Sequence, residues 1–356
     1  MKTKLLKSIF DQFIDVSLFD SYKELASGHI NDTYFIKTTA QPNFVLQRIN
    51  HGVFKDVPGL IENKVNVSDH IQEKFNSLPQ GNKKRHVLTF VKTKDGNPFY
   101  QGPEGNFWNL MYFIEDSVTH ETVKSSKVAY EGGKLFGEFL HVTSDFDASK
   151  LTEVISKFHD MSFRYSQFEE SLKNVSEERY NLAKEAIQKV IGFKEEMHII
   201  QNLKESGEIK LRVTHNDTKI SNALFTKDDK GLCVIDTDTI MPGIIHYDFG
   251  DAIRTICNTA AEDEKNLELV EFNVTYYKAY CKGFLEKIGD SMSEIELVNL
   301  PLGAKSMIFI MAIRFLTDFL NDDVYYKTKY KNHNLDRCKN QLKLIESMER
   351  QFDQLK

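Results

Sequence analysis

Two short stretches carry the residues best placed to do chemistry: His215, Asp217, Lys219 and Asn222 in "RVTHNDTKISNALF", and Asp236 and Asp238 in "LCVIDTDTI". A carboxylate with a lysine two residues on can accept a proton beside a fixed positive charge. An asparagine amide oxygen and a second carboxylate are hard oxygen donors of the kind magnesium takes, usually one or two from the protein with substrate phosphates and water completing the shell. Together they suit a metal-assisted displacement at phosphorus. Such a site needs a loop for Asp217 and a rigid support that holds Asn222 near Asp236.

The sequence offers that support. "NALFTK" and "LCVID" both have strand character, and "DDKG" between them is a turn signal. Pairing about Asp229 places Asn222 opposite Asp236. The offsets of His215, Asp217 and Asn222 equal those of the kinase catalytic loop, H-R-D-L-x-x-x-N, in which the aspartate takes a hydroxyl proton and the asparagine holds metal. A lone H-x-D or D-x-D more often caps a turn; the joint pattern is harder to assign to capping. The alternative for D-x-D-x-T is a phosphatase nucleophile of the haloacid-dehalogenase kind. That reading requires the first strand of a parallel sheet, whereas "VIDTD" closes a hairpin late in the chain.

The rest of the chain divides in two. Residues 4–20 show helical apolar spacing (Leu5, Ile9, Phe13, Leu18), followed by strand-like "DTYFIKTT" and "NFVLQRI", a helical "GLIENKVNVSDHIQEKF", and strand-like "HVLTFV" and "FWNLMYFIE". Beyond about residue 117 long helical patterns dominate, interrupted by one β-rich island at 211–240. The expectation is an α+β chain of two lobes with a cleft, residues 1–115 forming a small β-rich lobe and 116–356 a larger helical lobe that includes the loop and hairpin.

With 46 Lys+Arg against 52 Asp+Glu, the net charge of -6 gives no footprint for nucleic acid or an anionic membrane, so a small-molecule partner is expected. Cysteines at 233, 257, 281 and 338 form neither a C-x-x-C pair nor a disulfide framework. The N-terminus lacks the apolar core of a signal segment, and a cytoplasmic location is expected.

At "HNDTKISN", "VIDTDT" and "YDFGD" the sequence resembles the aminoglycoside phosphotransferase and choline kinase family. "GHINDTYFI", "FVLQRIN", "FIEDSV", "GKLFGEFL", "DFGDAIR", "RFLTDFL" and "DVYYKTKYKNHNL" extend the likeness in the same order over nearly the whole chain. It is most similar to members that phosphorylate the anomeric hydroxyl of an N-acetylhexosamine. The resemblance implies a bilobal protein-kinase-like fold and an ATP- and Mg²⁺-dependent kinase giving a sugar 1-phosphate. It makes Asp217 the base, with Lys219 meeting the transferring phosphoryl group. Asn222 and Asp236 become the metal ligands, and His29, Asp217, Asp236 and Arg314 face the sugar. Gly28 in "SGHINDT", Gln47, and the hinge Met111, Tyr112, Phe113 and Ile114 fall to the nucleotide. Asp248 would brace the catalytic loop through backbone N–H groups. Asp238 adds negative charge beside Asp236 that favours a metal or hydroxyl donor nearby; the plainer account is a solvated loop carboxylate.

One departure stands out. Gln47 occupies the position at which V-A-I-K carries its phosphate-pairing lysine, and strand alternation turns the neighbouring Arg48 to the other face. Other small-molecule kinases of this fold, acting on choline, homoserine, methylthioribose or an aminoglycoside, are the alternatives. A nucleotide-binding pseudokinase is the reading from a different class.

Overall fold

The computed structural model describes residues 2–25, 30–76, 85–351, 353 and 355. The chain forms two compact units: Met1–Thr119 with Val142–Ser156 and Asn222–Pro242, and His120–His141 with Lys157–Ser221 and Gly243–Lys356.

In the first unit, β1 (Phe19–Glu24), β2 (Asp32–Thr38), β3 (Phe44–Ile49), β4 (Phe90–Val91), β5 (Tyr100–Gln101) and β6 (Phe107–Tyr112) form an antiparallel sheet in the order β1-β2-β3-β6-β4, with β5 also pairing β6. Helix α1 (Lys2–Phe10) covers one face: Leu6, Ile9 and Phe10 join Ile36, Phe44, Leu46, Trp108 and Leu110 in a single apolar cluster. Phe10 meets Phe19 and Phe44 edge-on at 5.6 and 5.7 Å, a favoured aromatic geometry.

The helical pattern expected over residues 4–20 ends earlier, at Phe10, and Leu5 and Leu18 are exposed. Aspartates end it. Asp11 accepts the Val16 N–H (3.1 Å) and Asp15 the Ser17 N–H (2.8 Å), so side-chain acceptors draw the backbone into turns. Strand "HVLTFV" shortens to Phe90–Val91.

Alternation along β3 separates Gln47 from Arg48 as expected. Gln47 is buried, while Arg48 reaches Asp32 and, at 3.0 Å, Asn106 on the solvated side. Helix α2 (Val57–Asn76) buries Leu60, Ile61, Val65 and Ile71, and with them Lys64.

The hairpin Ala223–Phe225/Gly231–Val234 is antiparallel, with Val118–Thr119 as its third strand. Its register differs by one residue from the expected pairing. The turn is closed by the Thr226 N–H on the Lys230 carbonyl (2.9 Å), centring it on Asp228, and a bulge follows between Gly231 and Cys233. Ile235 therefore opposes Asn222, donating its N–H to the Asn222 carbonyl at 2.9 Å. Asp236 comes next, in a left-handed conformation (φ 59, ψ 54) that aspartate tolerates better than most residues.

The second unit is helical. Its central helix, Leu300–Leu320, packs against His333–Arg350, Ile245–Ile256 and Met161–Asn174. By length and composition that helix could cross a membrane, but 72% of its apolar window is buried in the protein. Helices Ser126–Val142 and Val274–Ile288 touch through glycines. A Cβ on Gly133 would lie 2.2 Å from the Tyr280 carbonyl oxygen, and one on Gly283 2.1 Å from that of Tyr130. The α+β expectation holds: an antiparallel sheet in the N-terminal region and a helical C-terminal part.

Candidate active site

The loop after strand Arg212–Thr214 is shaped by one buried carboxylate in the second unit. Asp248 accepts the His215 N–H at 2.8 Å and the Asn216 N–H at 2.7 Å, one on each oxygen. Its own carbonyl accepts the Thr218 hydroxyl. Asn216 takes a left-handed φ of 63, held by its side-chain N–H bonds to the Thr214 carbonyl (3.2 Å) and hydroxyl (2.9 Å). Gly243 is required beside it, because a Cβ there would stand 2.2 Å from the Thr214 hydroxyl. His215 is buried between the rings of Phe136 and Phe139, 6.1 and 6.0 Å away. Burial raises the Asp248 pKa to about 6, against the pull of His215 and the two N–H bonds, so it is ionised at neutral pH.

This brace presents Asp217 to solvent. Its carboxylate is 31% exposed and accepts from the Lys219 ammonium at 2.9 Å. The two residues assigned to catalysis therefore touch. A partly solvated carboxylate on a loop whose backbone is fixed can receive a hydroxyl proton, and the lysine can meet developing negative charge.

Apart from Arg314, sequence reasoning missed the shell around this loop. Asp251 accepts Arg254 through both Nε (3.0 Å) and Nη2 (2.9 Å), while its other oxygen is buried with no hydrogen-bond partner among the described residues. Burial raises the Asp251 pKa, opposed by Arg254 and reinforced by the charge of Asp217. His159 packs tilted against Tyr247 (5.0 Å), lies 3.4 Å from the Asn216 carbonyl, and is held neutral with a pKa of about 3 by burial and by the charges of Arg314 and Arg164. Arg314 rests over Phe158 (5.4 Å) and Tyr326 (5.5 Å). Arg164 donates to the Phe158 carbonyl (2.6 Å) and to Gln167 (2.8 Å). Neither arginine forms an ion pair among the described residues. "YDFGDAIR" held the signal for Asp251 and Arg254, since their spacing of three puts them on one helix face.

The other expected site residues lie in the first unit. Asn222 is buried at the hairpin end and Asp236 is exposed just past it. Asp238 is not the solvated carboxylate expected from its loop position. It is buried in an ion pair with Lys64, with Asn31 Nδ2 donating to it and Gln47 Nε2 at 3.5 Å, while Lys64 donates to Gln47 Oε1 at 3.0 Å. Only one sign of this showed in the sequence: Lys64 stands on the apolar stripe Leu60, Lys64, Ile71 of α2.

Of the hinge, Met111 and Ile114 are buried in an apolar cluster with Leu88, Leu232 and Cys233, against which Val45, Leu224 and Ile235 pack while remaining partly exposed. Tyr112 and Phe113 donate their N–H groups to the carbonyls of Thr89 (3.0 Å) and Asn43 (2.9 Å). A backbone donor offered to a base from 111–114 therefore comes after Phe113. Gly28 and His29 lie outside the described residues.

Residues 21–286 match the family model for the phosphotransferase enzyme family. Solved structures with the same fold include a microcompartment-associated aminopropanol kinase (13% identity, TM-score 0.65, covering 99% of this chain and 98% of that one). A spectinomycin phosphotransferase solved with ADP and spectinomycin gives 13% identity and a TM-score of 0.62 over 99% and 98% of the two chains. Choline kinase from Cryptosporidium parvum gives 14% and 0.60 over 99% and 97%. At these identities the likeness shows the protein-kinase-like fold.

Proposed function

The chain belongs to the phosphotransferase enzyme family, and from that premise we propose that it transfers the γ-phosphoryl group of ATP to the anomeric C1 hydroxyl of an N-acetylhexosamine, giving the sugar 1-phosphate and ADP. One observation carries the choice of acceptor within the family. Arg314 and Arg164, without ion-pair partners among the described residues, both act on His159, which also feels Asp217. Two guanidinium groups near the base, neither in an ion pair among the described residues, oppose a cationic acceptor such as choline or an aminoglycoside through like-charge repulsion. They favour a neutral polyol, to whose hydroxyl and acetamide oxygens an arginine can donate.

Asp217 accepts the C1 hydroxyl proton as the new O–P bond forms and the bond from Pγ to the bridging oxygen breaks, leaving its electron pair on ADP. The transition state of such transfers is loose, so positioning and charge stabilisation do most of the work. A hemiacetal hydroxyl is more acidic than an ordinary alcohol, which lightens the demand on the base. Lys219 steadies the Asp217 carboxylate and meets charge on the transferring group. Asn222 and Asp236 supply the amide and carboxylate oxygens that fit Mg²⁺, which when bound offsets phosphate charge. The partly exposed Val45, Leu224 and Ile235 offer an apolar wall for the adenine.

An acceptor panel tests this. With ATP and Mg²⁺, ADP release is expected with GlcNAc or GalNAc and not with choline, homoserine or a cationic aminoglycoside. Preference for a cationic acceptor, or turnover of none of the N-acetylhexosamines, overturns the reading.

A further inference from the structure

We propose that Lys64 and Asp238 form a positioning pair that aims the metal-binding Asp236, replacing the strand-lysine/helix-glutamate pair of protein kinases with the charges exchanged between elements. The inference rests on the kinase reading above. In protein kinases the lysine stands on the third strand and its glutamate on the following helix. Here the strand carries Gln47 and the helix carries the cation, Lys64. The carboxylate has moved to Asp238, two residues beyond Asp236.

The pair is built into the fold. The Lys64 and Asp238 side chains are 1% and 5% exposed. Asn31 donates to Asp238 through Nδ2, and its Oδ1 accepts the Asn50 N–H at 2.8 Å, tying the start of β2 to the residue after β3. Helix α2 grips the same loop a second time. Asn63 donates to the Ile240 carbonyl (2.8 Å) and the Thr152 carbonyl (2.8 Å) and accepts the Thr152 N–H (3.0 Å). Asp236 is thus fixed on both sides: before it by the Ile235 N–H on the Asn222 carbonyl (2.9 Å), and after it at residues 238 and 240.

A buried ion pair adds little net stability over a well-packed apolar pair, so stability alone does not explain this one. It supplies direction. A charged hydrogen bond holds the loop at one distance and angle, which a metal ligand in a left-handed conformation requires of its support. On this account Gln47 is part of the support, linking β3 to Lys64, and its presence does not mark an inactive kinase.

The test is a binding measurement on the full chain. Mn²⁺, standing in for Mg²⁺, is titrated by electron paramagnetic resonance in the presence of ADP, for the wild type and for the charge-free pair Lys64→Met/Asp238→Asn. Metal-free ADP affinity and thermal unfolding are measured alongside. The wild type binds Mn²⁺ with nucleotide, and the double variant stays folded but loses ~10-fold or more in Mn²⁺ affinity, as expected when the support of a metal ligand is removed, with metal-free ADP affinity unchanged. Should the double variant not fold, Asn63→Ala, which keeps the ion pair and removes the second grip, decides by the same readout: weaker Mn²⁺ binding supports the proposal and unchanged binding overturns it. Unchanged Mn²⁺ affinity in the folded double variant overturns it too. So does a loss confined to metal-free ADP, which would place Lys64 on the phosphates directly. A wild type that binds no Mn²⁺ with nucleotide defeats the kinase reading itself, and this inference with it.

Discussion

The loop bearing Asp217 and the loop bearing Asp236 are each held by a buried aspartate, one through backbone and the other through side chains. Asp248 gathers N–H groups from His215 and Asn216, and among the described residues no cation forms an ion pair with it. Asp238 is held by the side chains of Lys64 and Asn31. A backbone brace tolerates change in the side chains of the loop it holds. A side-chain brace depends on the identity of each partner, and removal of one leaves another buried and unpaired.

Substitutions can break this contrast in order of effect. Asp217→Asn, which leaves both braces intact, should lower kcat by at least ~10² with metal–nucleotide affinity unchanged; steady-state kinetics with calorimetry would reveal near-normal turnover if another group were the base. Lys64→Met alone strands the Asp238 charge and should cost about 3–5 kcal/mol in denaturant unfolding, while the neutral pair Lys64→Met/Asp238→Asn recovers most of it. Asp248→Asn keeps the shape but can accept from only one of the two N–H groups, for a loss of about 1–3 kcal/mol.

That difference also explains what was legible in the sequence. The Asp217 loop was readable because its parts are close in the chain, with His215, Asp217, Lys219 and Asn222 within eight residues and "YDFGD" following. The brace by Asp248 came from the family resemblance, which places an aspartate after the metal strand. The Asp238 brace joins residues 174 positions apart. No local pattern reveals such a pairing, and Asp238 looked solvated because nothing near it in the chain marks Lys64 as its partner. Several long helices, such as Val57–Asn76 and Leu300–Leu320, and most strands were readable from periodicity. The hairpin register was not, because a bulge is a matter of one residue and aspartates stand at both 228 and 229. Residues 142–156 and 222–242 group with the first unit although they are distant from it in sequence, a grouping set by long-range contacts such as that of Asn63 with Thr152 and Ile240.

A comparable effect is expected from pH. Burial holds His159 at about 3 and His246 at about 4, below their unfolded value of 6.5, so the unfolded chain takes up protons first as pH falls below about 6.5. Each lost unit then costs about 1.4 kcal/mol per histidine. Asp248, raised from 3.8 to about 6, works the other way, stabilising the fold on acidification within that window. The three groups together should lower stability as pH falls from about 6 to 4, and a folded state that gains stability there would contradict their burial. The smallest effect is expected at Arg48→Ala. Its pair with Asp32 is well exposed (39% and 46%) and should cost less than about 1 kcal/mol without changing nucleotide affinity, sharpening the difference between Arg48 and its buried neighbour Gln47.

The most direct test of the account is the position of the transferred phosphorus. With ATP, Mg²⁺ and GlcNAc labelled with ¹³C at C1, the account predicts a product whose labelled carbon is coupled to phosphorus through the anomeric oxygen. Phosphate appearing on another hydroxyl, or ATP left intact beside unmodified sugar, would contradict it.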